Sequence, residues 1–238
     1  KYYMDHGSKE ETKAMKFGTH MHTAILEPER LEIDYVYKEK VDGRTKEGKA
    51  YNTQFELDNP GKIILTLEEY DAARYVRDKI AKHSRIPALL HDIKPEVSMQ
   101  WDDEGLLLRG RADALLSNLP IILDVKTTIS AVFHKFQNTI FTSGYHRQGA
   151  MYVDGSRTLG RPVQHYFILA IENTAPYKIA LFEIPMEVIN IGRKELLELK
   201  EIYRECKKHN VWDGYTEEIQ QIGIPNWKLN NMPESYFE

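Results

Sequence analysis

The run Ile121-Ile122-Leu123-Asp124-Val125-Lys126 can be housed in few ways. Its apolar half asks for burial, yet Asp124 and Lys126 follow two positions apart, and a β-strand points such a pair to the same face. The segment before it, Leu106 to Leu116, is also strand-like and carries Gly110-Arg111-Ala112-Asp113 near its end. Between them, Ser117-Asn118-Leu119-Pro120 has turn chemistry. Adjacent strands joined in this way let Asp113 reach the face that holds Asp124 and Lys126. Neighbouring aspartates repel each other unless a cation neutralises them, and hard oxygen donors with retained waters suit Mg²⁺ or Mn²⁺. One or two such cations supply the charge stabilisation and the activated nucleophile that phosphodiester hydrolysis needs, with Lys126 placed to orient or help deprotonate a water. The spacing leaves open a plainer alternative, a solvated salt bridge among the three residues on a sheet face.

Other segments fall in with this group. Tyr145-His146-Arg147-Gln148-Gly149-Ala150-Met151-Tyr152 reads as helical, with Gln148 and Tyr152 four apart on one face. Glu96 opens a strand-like segment that ends near Trp101. Gly18-Thr19-His20-Met21-His22 leads into Leu26-Glu27-Pro28 as the end of a helix that stops before the proline, and His22 is its notable residue. Each has a bland reading as well. His22 can cap or pack, Glu96 can be a strand-edge carboxylate, and Gln148 and Tyr152 can simply cover the sheet.

Taken in order, and with Arg44-Thr45-Lys46-Glu47-Gly48-Lys49-Ala50 and Asp124-Val125-Lys126-Thr127-Thr128, these segments resemble the RecE-type exonucleases (exodeoxyribonuclease VIII-like). That family lies within the PD-(D/E)xK nucleases, which also contain the RecB-like nucleases. The resemblance implies an α/β, restriction-endonuclease-like core with a central mixed sheet flanked by helices. It implies metal ligation by Asp113, Asp124, the Val125 carbonyl, Glu96 and His22, and a catalytic set of Lys126, Asp113, Asp124, Glu96, Gln148 and Tyr152. The activity it implies is Mg²⁺-dependent degradation of the 5′-ended strand of linear double-stranded DNA, leaving 3′ overhangs for single-strand annealing. A toroidal homo-oligomer and a RecT-like annealing partner come with it. Two other functions remain open: a RecB-like or endonucleolytic enzyme working with a helicase, and a non-catalytic DNA-binding scaffold on the same fold.

Length and composition bound these readings. A chain of 238 residues suits one nuclease domain with a full core and is too short to add a motor. The single Cys206 excludes an intrachain disulfide and a four-cysteine iron-sulfur cluster, and it points to a reducing cytoplasm or to no redox dependence. No apolar run reaches membrane-spanning length, and the start at Lys1 implies a fragment or a processed chain. The net charge of −4 sits awkwardly with DNA binding, so the distribution of cations matters more than their sum. Candidate DNA contacts are Arg44, Lys46 and Lys49 in a polar segment, and Arg109, Arg111, Thr127, Lys135 and Arg147 near the expected site, with Arg111 and Arg147 as candidates for a 5′-phosphate pocket. For any one of the cations, a solvated surface charge is the alternative.

The remaining pattern predicts a helix over 8–27, a strand from Leu31 to Lys38, and a mobile polar loop over 39–61, where glycine, asparagine and proline are dense. Thr66-Leu67-Glu68-Glu69 is a capping box that starts a helix over 67–91. Strands are expected near 96–101, 105–116 and 121–127, a helical or irregular piece over 130–142, and a helix over 144–155. Val163 to Ile171 and Tyr177 to Ile184 read as a hairpin-like pair of strands, and 186–210 as a charged amphipathic helix. The tail 211–238 offers Pro225-Asn226-Trp227 as a docking point.

Overall fold

The computed structural model describes residues 11–230. Its centre is a mixed sheet of five strands, β3 (Ile93–Asp103), β4 (Leu106–Leu116), β5 (Ile121–Thr128), β6 (His165–Glu172) and β7 (Ile179–Ile184), lying in that order. Only β5 and β6 run parallel; the other neighbours are antiparallel. The run from Ile121 to Val125 is buried on both faces, as a central strand with helices above and below requires. On one face Leu123, Val125, Leu169 and Ile171 share a core with Met21, Ala24 and Ile25 of helix α1 (Lys13–Leu26) and with Ala73 and Val76 of α4 (Leu67–Ala81). On the other, Ile122, Ile168 and Ala170 meet Phe136 and Ile140 of α6 (Phe133–Thr142), Ala150 and Val153 of α7 (Tyr145–Thr158) and Ile189 of α8 (Met186–His209).

Several expected elements stand elsewhere. The strand predicted from Leu31 is helical at its start: Pro28 opens α2 (Pro28–Asp34) at a position where its missing N–H costs nothing. Arg30 then ties that turn together, with Nε 2.9 Å from Asp34 and Nη1 3.1 Å from Glu27. The strand is only β1 (Tyr35–Lys38), paired in parallel with β2 (Ile63–Thr66), which the sequence pattern did not reveal. The segment 39–61 is not a polar loop, because Lys46–Asp58 forms α3, begun by Thr45, whose Oγ1 accepts from the Gly48 N–H at 3.0 Å. Most of the breakers there, Gly43, Asn59, Pro60 and Gly61, bracket this helix instead of interrupting it. The helix expected over 67–91 starts at the capping box as predicted but ends at Ala81. There His83 Nδ1 accepts from the N–H groups of Arg85 and Ile86, and a short helix, α5 (Ile86–Leu90), follows.

Phe133–Thr142 resolves the ambiguous 130–142 segment as helix. Of the helix expected over 8–27, residues 8–10 lie outside the described residues. The chain divides into two units between Glu198 and Leu199, and the first holds the five-stranded sheet. In the second, residues 211–225 are exposed and irregular, and Asn226–Leu229 makes one short helix, α9; the side chain of Trp227 lies outside the described residues. No helix among the described residues is long and apolar enough to cross a membrane.

Candidate metal and catalytic site

The site begins where two strands part. β4 and β5 pair only at Ala114–Leu123 and Leu115–Ile122. Just past the end of that ladder, the Val125 N–H donates to Asp113 Oδ2 at 2.7 Å, so a side chain satisfies it. Asp113 and Asp124 flank this opening, the first nearly buried and the second fully so, at 8 % and 0 % exposure. Lys126 shares the Asp124 face, with Nζ 2.5 Å from Asp124 Oδ2 and 5.1 Å from the centre of the Tyr145 ring.

Glu96 arrives from β3 by an unusual backbone. The pairs Pro95–Ala114 and Val97–Ala112 bracket Glu96 and Asp113, placing the two side by side across the ladder. Glu96 has φ 53°, a left-handed conformation costing about 1–2 kcal/mol in a residue with a Cβ. The apolar residues of β3 change allegiance there: Ile93 packs with the α1 core, whereas Val97, Met99 and Trp101 belong to the α7 core. His22 closes the group from α1, its Nδ1 3.6 Å from Asp113 Oδ2. Ligand atoms of His22, Glu96 and Asp113 all lie within 4.8 Å of one another.

Helix α7 forms the wall. Gln148 Nε2 donates to the Tyr152 hydroxyl at 3.0 Å, as two residues on one helix face can. Gly110 has no Cβ because the Tyr152 ring lies over it; an added Cβ would sit 2.8 Å from Cε1. Not every expected residue converges. Thr127 points to the α1 side of β5, beside Gly18. Arg147 is half-buried with Nη1 3.5 Å from Glu195, and Lys135 is exposed on α6. Arg44, Lys46 and Lys49 are exposed at the start of α3, with Arg44 3.7 Å from Asp42. Arg109 and Arg111 are exposed on β4, and Arg111 Nε lies 2.7 Å from Glu96 Oε2.

The electrostatics follow from burial. Burial pushes the Asp124 carboxyl up to about 6 against the opposing pull of Lys126. Burial also raises Asp113, opposed by Lys126 and the Val125 N–H. Burial and then Lys126 lower His22, which favours the neutral imidazole with a free lone pair. For Lys126 itself burial works to lower the ammonium, but Asp124 and Asp113 outweigh it and the net shift is upward. Apart from the Lys126 ammonium beside Oδ2 and the nearby Tyr166 hydroxyl, neither in ideal alignment, Asp124 has no donor among the described residues. A fully buried carboxylate in that condition is costly, and a hard cation is the partner its chemistry fits.

One residue near the site was not named from the sequence. Tyr166 of β6 is fully buried, and its hydroxyl lies close to the Asp124 carboxyl without ideal hydrogen-bond alignment. It pairs in register with Ile122, two positions from Asp124, on the same sheet face. The ring fits because Gly149 of α7 lacks a Cβ, which would lie 3.2 Å from the tyrosine Cε1. Burial, then the charges of Asp124 and Asp113, drive its phenol well above the ordinary value. The signal was a pairing register, which a single sequence does not display.

Comparison with known proteins places this architecture. Residues 2–223 match the family described as a PDDEXK-like domain of unknown function, DUF3799. A crystal structure of a candidate exonuclease from Eubacterium rectale matches with a TM-score of 0.59 at 14 % identity, over 96 % of this chain and 83 % of that one, a likeness of fold. A crystal structure of SSO0001 covers 78 % of this chain and 88 % of its own at 15 % identity, but its TM-score of 0.28 carries no argument. No curated protein matches. With the family match running from residue 2 to residue 223, and a mixed sheet flanked by helices beneath it, the chain belongs to the PDDEXK-like family DUF3799 and has its nuclease-like α/β fold.

Proposed function

We propose that this protein is a metal-dependent nuclease, and more narrowly an exodeoxyribonuclease that digests the 5′-ended strand of linear duplex DNA. The observation that carries the nuclease reading is the meeting of His22, Glu96 and Asp113 beside a fully buried Asp124 whose charge is faced by Lys126. Asp113, Asp124, Glu96, His22 and the Val125 carbonyl would hold Mg²⁺ or Mn²⁺. A divalent cation, when bound, supplies Lewis-acid stabilisation of the charge that develops on the phosphoryl oxygens and leaving group. Lys126 presents its ammonium beside Asp124, where it can orient a water for in-line attack. Gln148 and Tyr152, hydrogen-bonded to each other on one face of α7, would touch the scissile phosphate or the flanking nucleotide.

The finer features, namely 5′-to-3′ polarity, 3′ overhangs, a ring-shaped homo-oligomer and a RecT-like annealing partner, rest on the RecE-type resemblance, and a cytoplasmic setting rests on the single Cys206. The test is digestion of 5′-labelled and 3′-labelled linear duplex, alongside closed circular DNA, in Mg²⁺ or EDTA. Loss of the 5′ label from linear DNA in Mg²⁺ alone is expected. Cleavage of circles would overturn the exonuclease assignment, and activity that appears only with a helicase would move the protein to the RecB-like reading.

A further inference from the structure

The β3–β4 ribbon continues past the metal cluster with one face filled and the other bare. On the filled face Met99, Trp101 and Leu108 pack with the α7 core. On the bare face stand Ser98 and Gln100 of β3 and Arg111 and Arg109 of β4, all exposed. The register pairs Ser98 with Arg111 and Gln100 with Arg109, so the four form two rungs of a ladder leading away from Glu96. Together with Met99 and Gly110 they line a shallow groove of about 380 Å³.

The chemistry of this face is narrow. Every one of the four side chains carries an N–H or O–H donor, and the exposed Leu107 follows on the same face only at the rung beyond them, opposite Asp102. Arg109 makes no ion pair with any described residue. Arg111 spends Nε on Glu96, leaving the outer N–H groups of an exposed guanidinium to reach outward. The nearest carboxylates mark the two ends: Glu96 belongs to the metal cluster, and Asp102 accepts the Gly105 N–H at 3.0 Å in the hairpin turn. Two residues along a strand advance about 7 Å, so the two arginines meet two successive groups on a linear polyanion instead of pinching one. Arginine, serine and glutamine side chains are the usual contacts to a nucleic-acid backbone.

We propose that this face is a phosphate track: it binds consecutive backbone phosphates of one DNA strand, Arg111 with Ser98 nearest the metal cluster and Arg109 with Gln100 one step further out. The proposal rests on the nuclease reading for its placement next to a scissile linkage. It adds a sequence-independent, single-strand contact on β3–β4, and it gives the acidic chain a local cationic path.

The experiment measures binding without cleavage. Fluorescence anisotropy with a duplex bearing a single-stranded extension, in Ca²⁺ in place of Mg²⁺, is followed from 50 to 200 mM salt. Arg109→Ala is expected to weaken binding roughly 3–10-fold and to reduce the slope of log affinity against log salt by about one, with Arg109→Lys restoring the slope. Arg161→Ala, in the loop before β6, serves as the control and leaves both unchanged. Wild-type affinity and slope in Arg109→Ala and in Arg109→Ala/Gln100→Ala would overturn the track, as would a drop in solution mass in these variants, which would make the face an interface between copies. The nuclease reading fails by a different result: a wild-type protein that binds DNA with the expected slope yet hydrolyses neither DNA nor bis(p-nitrophenyl) phosphate in Mg²⁺ or Mn²⁺.

Discussion

On the sheet face covered by α1 and α4, strands β5 and β6 contribute Leu123, Val125, Leu169 and Ile171, and these meet Met21, Ala24 and Val76. On the face covered by α6 and α7 the same two strands contribute Ile122, Ile168 and Ala170, but interleave them with Asp124, Lys126 and Tyr166. One alternation of side chains thus serves two purposes. The first face gains hydrophobic stabilisation along its whole length, roughly 25 cal/mol for each Å² of apolar surface buried. The second gives up part of that gain to hold a carboxylate, faced by Lys126, and a phenol in poor alignment with it. Such a face can be maintained only because the other is closed, and a ligand of the right charge repays what it gives up.

The largest break in this contrast comes from the second face. Asp124→Asn is expected to reduce Mg²⁺-dependent DNA hydrolysis by on the order of 10³-fold or more, since it removes a charged ligand and the electrostatic stabilisation that a cation there provides. Its effect on stability should run the other way with pH. With its folded value near 6, the wild-type carboxyl binds its proton more tightly in the folded state than in the unfolded chain. The stability it gives is full below about pH 4 and is lost as pH rises through about 6, an expense of a few kcal/mol in the metal-free protein. Thermal melts in EDTA at pH 5 and pH 7 should show this fall in the wild type and a smaller one in Asp124→Asn. Adding Mg²⁺ at pH 7 should raise the wild-type midpoint and leave the variant's nearly unmoved. A variant that keeps its Mg²⁺ response would place the metal elsewhere.

The next effect belongs to the first face. Leu169 is fully buried among apolar neighbours, so Leu169→Ala should cost about 2–5 kcal/mol of stability, read from chemical denaturation. At temperatures where the variant is folded, its Mg²⁺-induced rise in melting temperature should match the wild type. Loss of that response in a folded Leu169→Ala protein would mean that the two faces are not separable in the way the packing indicates.

How far these faces could be read from the chain depends on the range of each signal. Asp124 and Lys126 were legible because alternation on a strand is local, and so was the hairpin-like pair that became β6 and β7. The capping box of Thr66 and Glu69 was legible for the same reason, being completed within four residues, 66 to 69. Helix α3 was hidden because Gly43, Asn59, Pro60 and Gly61 look like a loop until Thr45 is recognised as its cap. The pair β1–β2 was hidden because each strand spans only four residues and the partners are joined by a helix. Within the site, the meeting of His22, Glu96 and Asp113 could be anticipated by resemblance, but the left-handed backbone at Glu96 could not, since nothing in a glutamate announces it. Thr127 shows the cost of reading neighbours as partners: adjacent to Lys126 in sequence, it faces the opposite side of the strand.

The smallest expected effect tests the face that carries the polar groups. Tyr166→Phe keeps the ring under Gly149 and removes only a buried hydroxyl that lies beside the Asp124 carboxyl in poor hydrogen-bond alignment. In the metal-free protein that change should be close to neutral, because a buried hydroxyl in a poorly aligned contact disappears and no cavity opens. If the hydroxyl turns toward Asp124 when the carboxylate is engaged by a cation, it fixes which oxygen is presented, and Mg²⁺ affinity should fall about tenfold in the variant. The two readouts part, affinity falling while stability holds, which a purely packing role does not produce. Isothermal titration of Mg²⁺ alongside a metal-free melt separates them: unchanged affinity would make Tyr166 a filler of the α7 core, and the polar character of that face would then reside in Asp124 and Lys126 alone.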